Sequence, residues 1–408
     1  MDMVYLPVLL AVLGSPHKPP PVTVAVLDKL VALYRSYDLP LPPPNALLVE
    51  GGARGWSRNG GELNAAAYLL ERSKDGQGAW LLSGTQRIYE ARTTFTRLSE
   101  TAKTARRVFL NPFEPRFFED GDLIFAAIEH VRHHDAFARE MLRRAVKQGP
   151  RYTDEGELVA PEGASMETRV AFLAMQHWRN EVVQPDSDRA AVAAHIRQVF
   201  AREPKVANAE DRAILKRLEV TVSGRYKGAD VDERLIDAFC DLTVDRFPED
   251  LPGPQSESPC DPLLAVVRRG FDAVPALLRH VGDERLTRAV HPACMRMPTS
   301  LCTVGDLCWT LLLDYTNWED PGWLGAPDTA KRLAAWWEHA RKASERDYCL
   351  RCLSAPVGCC PSPELIYLAE KRHPDVLPLA YRAVLRSKRE ISTWPYEEAI
   401  KRSGSPKR

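Results

Sequence analysis

The stretch TVGDLCWTLLLDYT, residues 303–316, decides the fold. Its apolar positions recur at helical spacing, so it reads as a helix over Thr303–Tyr315 with Leu311 and Leu312 on the inward face. The segment upstream, AVPALLRHVGDERLTRAV over residues 273–290, has the same character. Pro275 sits early in a helix over Ala273–Val281, where a missing N–H is tolerated. Leu277 and Leu278 supply the apolar face of that helix.

These two segments together resemble one unit of a HEAT-type helical repeat. Ala273–Val290 matches the first helix and turn, with Asp283 and Arg288 where that family places turn and helix-start charges. Thr303–Thr316 matches the second helix. Residues 290–302 stand where the family has a tight turn, which departs from a regular superhelix. A fainter second unit runs from Leu368 through Val376, Leu377, Tyr381 and Leu385 to Ala399. The resemblance covers about residues 262–400. It implies stacked helices whose exposed surfaces bind other proteins.

Working back toward the N-terminus, PEDLPGPQSESPCDP over residues 248–262 is dense in proline and reads as a linker over residues 249–262. Helical periodicity fills residues 121–248. It covers Leu123 to Leu142 as one long stripe, then Met166–Val183, Asp186–Phe200, Ala209–Val222 and Val231–Val244. Residues 22–120 differ in kind. A helix over Val22–Tyr37 ends before Pro40–Pro44. Two apolar runs, Ala67–Leu70 and Ala79–Leu82, then flank Asp75-Gly76, which signals a β-hairpin. Ala46–Val49 reads as a third strand. The expected fold is mainly α, with a helical-repeat-like region over residues 263–408 and a small α+β N-terminal region holding a short antiparallel sheet.

The chain carries 55 Lys and Arg against 55 Asp and Glu. Nucleic-acid binders usually carry a basic excess, so no nucleic-acid partner is expected. No stretch approaches 18 uninterrupted apolar residues, which argues against an integral membrane segment. Val4–Gly14 (VYLPVLLAVLG) has the length of a signal-peptide apolar region, with cleavage expected after Gly14 and a leader over residues 1–21. That reading slightly favours an exported protein over a cytoplasmic one. Met1-Asp2-Met3 lacks the usual positive charge, and the competing reading is a short buried element.

No catalytic residue and no cofactor motif emerges. The phosphate-loop, dinucleotide and G-x-S-x-G patterns are absent, and Gly51-Gly52 and Gly60-Gly61 read as a loop. Cys349, Cys352, Cys359 and Cys360 place four thiols within 12 residues. Zinc accepts four thiolates, but adjacent side chains diverge, so a metal site, a disulfide and plain thiols all stay open, plain thiols foremost. His130 and His134 fall four apart on an expected helix, a di-histidine spacing without a third ligand. Trp318, Trp323, Trp336 and Trp337 read as a local core. The expected function is a protein-interaction or scaffold role on stacked helices, with another protein as partner. The alternatives are an enzyme with a site assembled from distant residues, or a metal or redox protein using Cys349–Cys360.

Overall fold

The computed structural model describes residues 22–50, 55–56, 62–63, 66–74, 77–83, 86–90, 121–148, 163–242, 261–290, 301–316, 328–356, 361–387 and 390–404. It is mainly α, with fifteen α-helices among the described residues and a small antiparallel sheet near the N-terminus. The chain divides into two compact units. The first comprises residues 1–180 with His195–Asn208, and the second comprises Glu181–Ala194 with Ala209–Arg408. The leader and most of the proline-rich linker lie outside the described residues.

In the first unit, helix α1 (Val24–Ser36) buries Leu27, Leu30, Val31 and Tyr34 along one stripe. The sheet takes the order β1-β4-β5-β6, from Leu47–Glu50, Ala66–Arg72, Ala79–Ser83 and Gln86–Glu90. A separate short ribbon pairs β2 (Gly55–Trp56) with β3 (Glu62–Leu63). The hairpin register sets Leu69 opposite Leu81 and Tyr68 opposite Leu82. Ser73 closes the turn by binding Gly78 through both its backbone N–H and its side chain. Val49, Ala67, Ala79 and Leu81 form an apolar cluster on one face, and Leu48, Tyr68 and Leu82 are buried on the other.

The long stripe from Leu123 to Leu142 is two helices rather than one. Helix α2 (Gly121–Val131) stops, and α3 (Asp135–Gln148) restarts after a turn. His133 has φ +65. Its N–H donates to His130 O at 3.0 Å, and the N–H of His134 reaches back to Glu129 O at 2.8 Å. That pair of bonds is the Schellman stop, which satisfies the last carbonyls and needs a left-handed residue, here filled by histidine in place of glycine. Helix α4 (Met166–Glu181) completes this set, burying Val170, Phe172, Leu173 and Met175.

Helix α5 (Arg189–Arg202) runs from the second unit into the first. The second unit continues with α6 (Ala209–Ser223), α7 (Val231–Asp237), α8 (Pro262–Arg269) and α9 (Val274–His280). Then come strands β7 (Leu286–Val290) and β8 (Leu301–Thr303) and helix α10 (Val304–Tyr315). Helices α11 (Thr329–Ala340), α12 (Glu345–Ser354), α13 (Pro363–Arg372), α14 (Val376–Arg386) and α15 (Trp394–Arg402) close it. One apolar core runs through it, and α9 packs on α10, α10 on α13, α12 on α14 and α13 on α15. Leu277, Leu311 and Leu312 are fully buried, while Leu278 packs at the edge of the core.

The departure from the expected helix pair falls between α9 and α10. The resemblance places a helix-start charge at Arg288, yet residues 286–290 form a strand antiparallel to β8, with Leu286 opposite Thr303. Thr287 is buried and donates its hydroxyl to Cys302 O at 3.0 Å. Helix α10 then begins with a capping box: Thr303 Oγ1 accepts from Asp306 N, and Asp306 Oδ2 accepts from Thr303 N. Its first turn lies so close to the end of α9 that a Cβ on Gly305 would meet Val281 O at 2.7 Å and Asp283 N at 2.9 Å. Only glycine fits there, which accounts for the V-G-D sequence at this helix start.

Candidate functional site

Helices α7 and α9 and the turn that leads into β7 bring together charged groups that lie apart in sequence. Arg279 donates to Glu233 Oε1 at 2.6 Å, and the other oxygen of Glu233 faces His280 Nε2 at 2.7 Å. His280 Nδ1 lies 2.8 Å from Asp283 Oδ2. Asp283 accepts from the Arg285 backbone N–H at 3.0 Å and from its guanidinium at 2.7 Å. Arg285 Nη1 reaches Asp237 Oδ1 at 2.5 Å, Asp237 Oδ2 accepts from Arg225, and Arg225 ends the row on Asp241 at 2.8 Å. The result is a ladder of alternating charge: Arg279, Glu233, His280, Asp283, Arg285, Asp237, Arg225, Asp241.

The protonation states follow from this order. The bond to Asp283 raises His280 above its ordinary imidazole value, and Glu233 adds to the effect against the opposing pull of burial. Burial raises the Asp283 and Glu233 carboxyls, but the bonds from His280 and Arg285 to the first, and from Arg279 and His280 to the second, outweigh it and hold both low. With His280 protonated, four cations face four anions. The ladder is self-neutralised, so it positions α9, the ribbon and α7 rather than presenting an unspent acid or base.

An open polar cleft of about 360 Å³ lies beside it, lined by Arg217, Glu284, Leu301, Thr303 and Asp306 together with the Val281–Asp283 turn. Lys216 pairs with Glu284 at 3.2 Å at its rim. Deeper in this unit, Glu364 on α13 is buried and accepts from Ser362 Oγ at 3.1 Å. Burial pushes its carboxyl up to about 7.

The residues singled out in the sequence fall elsewhere. Cys349 and Cys352 sit on α12, both buried in the helical core. Burial pushes the Cys349 thiol well above its ordinary range. Cys359 and Cys360 lie outside the described residues, as do Trp318 and Trp323. Trp336 is in the core, where its indole N–H donates to Tyr348 at 3.0 Å.

His130 and His134 do not share a helical face, because α2 ends between them. His130 is held between Asp135 at 2.7 Å and Asp28 at 2.9 Å. Burial lowers its pKa, but those two bonds outweigh it and leave the ring above its ordinary value. His134 turns instead to Glu129 Oε2 at 2.6 Å. Glu129 is a hub: it also accepts from Tyr68 Oη and from Arg132, each at 2.7 Å. Among the described residues, no group of three or more His, Cys, Asp or Glu is arranged to hold a metal ion.

Large apolar side chains are exposed on several helices. On the last two helices Trp394 is 69 % exposed and Leu385 57 %, with Leu379 also open to solvent. Among the described residues no helix is long and apolar enough to cross a membrane. Comparison of the chain with protein-family models, with characterised proteins and with solved structures returned no match.

Proposed function

We propose that this protein is an interaction scaffold whose second, helical unit holds another protein chain. The observation that carries the reading is the solvent exposure of Leu379 and Leu385 on α14 and of Trp394 at the start of α15. These helices present tryptophan and leucine to solvent, and tryptophan is among the side chains enriched at the energetic centre of protein interfaces. The resemblance of residues 262–400 to HEAT-type repeats supports the same reading. The charge ladder is self-neutralised, each of its charged groups facing a group of opposite sign.

The test uses the full chain as bait in extract from its source, compared with Trp394→Asp and Leu385→Asp variants. Circular dichroism checks that each variant retains its fold. A partner retained by the natural chain and reduced at least tenfold by either substitution is the expected result. Identical sets captured by all three baits would remove these helices as the interface.

A further inference from the structure

The first unit holds a histidine with a carboxylate at each ring nitrogen. His130, on the last turn of α2, faces Asp135 Oδ1 at 2.7 Å through Nδ1 and Asp28 Oδ1 at 2.9 Å through Nε2. An ionised carboxylate only accepts, and neutral imidazole carries a single N–H. Both bonds therefore exist together only while the ring holds two protons. The two partners belong to different elements. Asp135 opens α3, five residues on, whereas Asp28 lies on α1, 102 positions away.

The neighbouring charges are engaged elsewhere. Arg132 and His134 turn to Glu129, and His133 gives its backbone N–H to the turn. Lys29, beside Asp28 on α1, pairs with Glu167 on α4. Arg139 on α3 donates to the Asp135 carbonyl at 3.3 Å. Asp28 and Asp135 are thus the charged groups that reach the ring among the described residues. The His130 side chain is 13 % exposed, Asp135 39 % and Asp28 68 %. Burial lowers the pKa of the ring, but the two bonds outweigh it, so the second proton is held to higher pH than on free imidazole.

We propose that the α2–α3 turn is a pH-sensitive clamp on α1: His130 with both ring nitrogens protonated ties Asp28 to Asp135, and loss of the Nε2 proton frees α1 at that point. The order of release follows from the geometry. The Asp135 bond is the shorter and closes within one turn of chain, so the neutral ring keeps its Nδ1 proton. Nε2 then turns a lone pair toward the Asp28 carboxylate, and two acceptors repel where a bond had been. Asp28, the more exposed acid, moves to water. Leu27, Leu30 and Val31 stay buried in both states, so the change is an opening of the first turns of α1 and not its undocking. The tie is present in full below about pH 6.5, the unfolded imidazole value, and is lost as pH rises through the higher folded value. The clamp lies in the first unit and is independent of the interface proposed on the second.

The experiment combines nitrogen-15 NMR of the histidine rings in the full chain with hydrogen exchange of the α1 amides, corrected for intrinsic rates. At about pH 6 one ring, absent from His130→Gln, is expected to show two protonated nitrogens, and at about pH 8.5 to keep the proton on Nδ1. Over the same interval protection in the first turns of α1 should fall about fivefold, the upper size for an exposed pair. Asp28→Asn is expected to lower the midpoint of that ring and to flatten the response of α1. Asp28 is exposed, so this variant keeps the test open where His130→Gln does not fold. The proposal is overturned if His130 carries one proton at about pH 6, if the neutral ring keeps its proton on Nε2, or if α1 loses protection equally in Asp28→Asn.

Discussion

The two units handle buried charge in opposite ways. In the first, a single carboxylate, Glu129, gathers Tyr68, Arg132 and His134 around itself and ties the sheet to the helix pair α2–α3. Arg132 extends the tie to Ala46 O at 2.7 Å, just before β1, and lies over the Tyr68 ring. In the second, charges alternate along a row from Arg279 to Asp241, and no member carries the whole arrangement. A hub concentrates the consequence of losing one residue, whereas a ladder spreads it. Breaking a buried pair strands the remaining charge, while truncating an exposed pair returns it to water.

The largest expected effect tests the hub. Glu129→Ala leaves Arg132 buried without its carboxylate, and we expect a loss of about 3–5 kcal/mol in urea unfolding. Arg279→Ala removes one exposed end of the ladder and should cost no more than about 1 kcal/mol. Equal costs for the two would erase the distinction between hub and ladder.

Next in size is packing between α9 and α10. Leu277→Ala opens a cavity in the core and is expected to lower stability by about 2–5 kcal/mol. Leu278→Ala, at the edge of the core, should cost clearly less. A reversal of that order in denaturant titrations would mean that α9 is rotated from the orientation described above.

A smaller effect appears with pH. His280 and Glu364 both titrate higher in the folded chain than in the unfolded one. Each therefore contributes stability that is fully present below its unfolded value and is lost as pH rises through its folded value. Glu233 and Asp283 have the opposite sign: their contribution is present above about pH 4 and is lost as pH falls through their lowered folded values. The second unit should thus be most stable near pH 5. Glu364→Gln is expected to reduce the loss between about pH 5 and 7, and His280→Gln to lower stability most on the acid side of neutrality. Thermal unfolding across pH that is unchanged by either substitution would contradict these assignments.

The smallest effect is expected at the rim of the cleft. Glu284 and Lys216 are both largely exposed, so Glu284→Ala should stay within about 0.5 kcal/mol of the natural chain. A larger loss in the same urea titration would mark the rim as structural.

These contrasts also show what could be read in the sequence. Leu311 and Leu312 announced α10 by their spacing, and Asp75-Gly76 between two apolar runs announced the β4–β5 hairpin, because both signals are local. The end of α2 was invisible, since its left-handed position is filled by histidine, with no glycine or proline to mark it. The strand at Leu286–Val290 was not legible, since the resemblance gives Arg288 only as a helix-start charge. Its extended form is set by pairing with Leu301–Thr303, across an interval that local propensity does not sense. The ladder draws on residues from 225 to 285, and His130 finds Asp28 102 positions away, so neither leaves a motif. Cys349 and Cys352, conspicuous as spacing, lie buried in the helical core.

The histidine stop at His133 has a consequence for the order in which the first unit assembles. The bonds that end α2 join residues five apart or fewer, so the α2–α3 hairpin closes at little entropic cost. The Tyr68–Glu129 bond spans 61 positions and can form only after the sheet and the hairpin meet. Folding is therefore expected to begin in the hairpin and finish at Glu129. Substitutions around His133 should then slow the folding rate, while loss of Glu129 should chiefly speed unfolding.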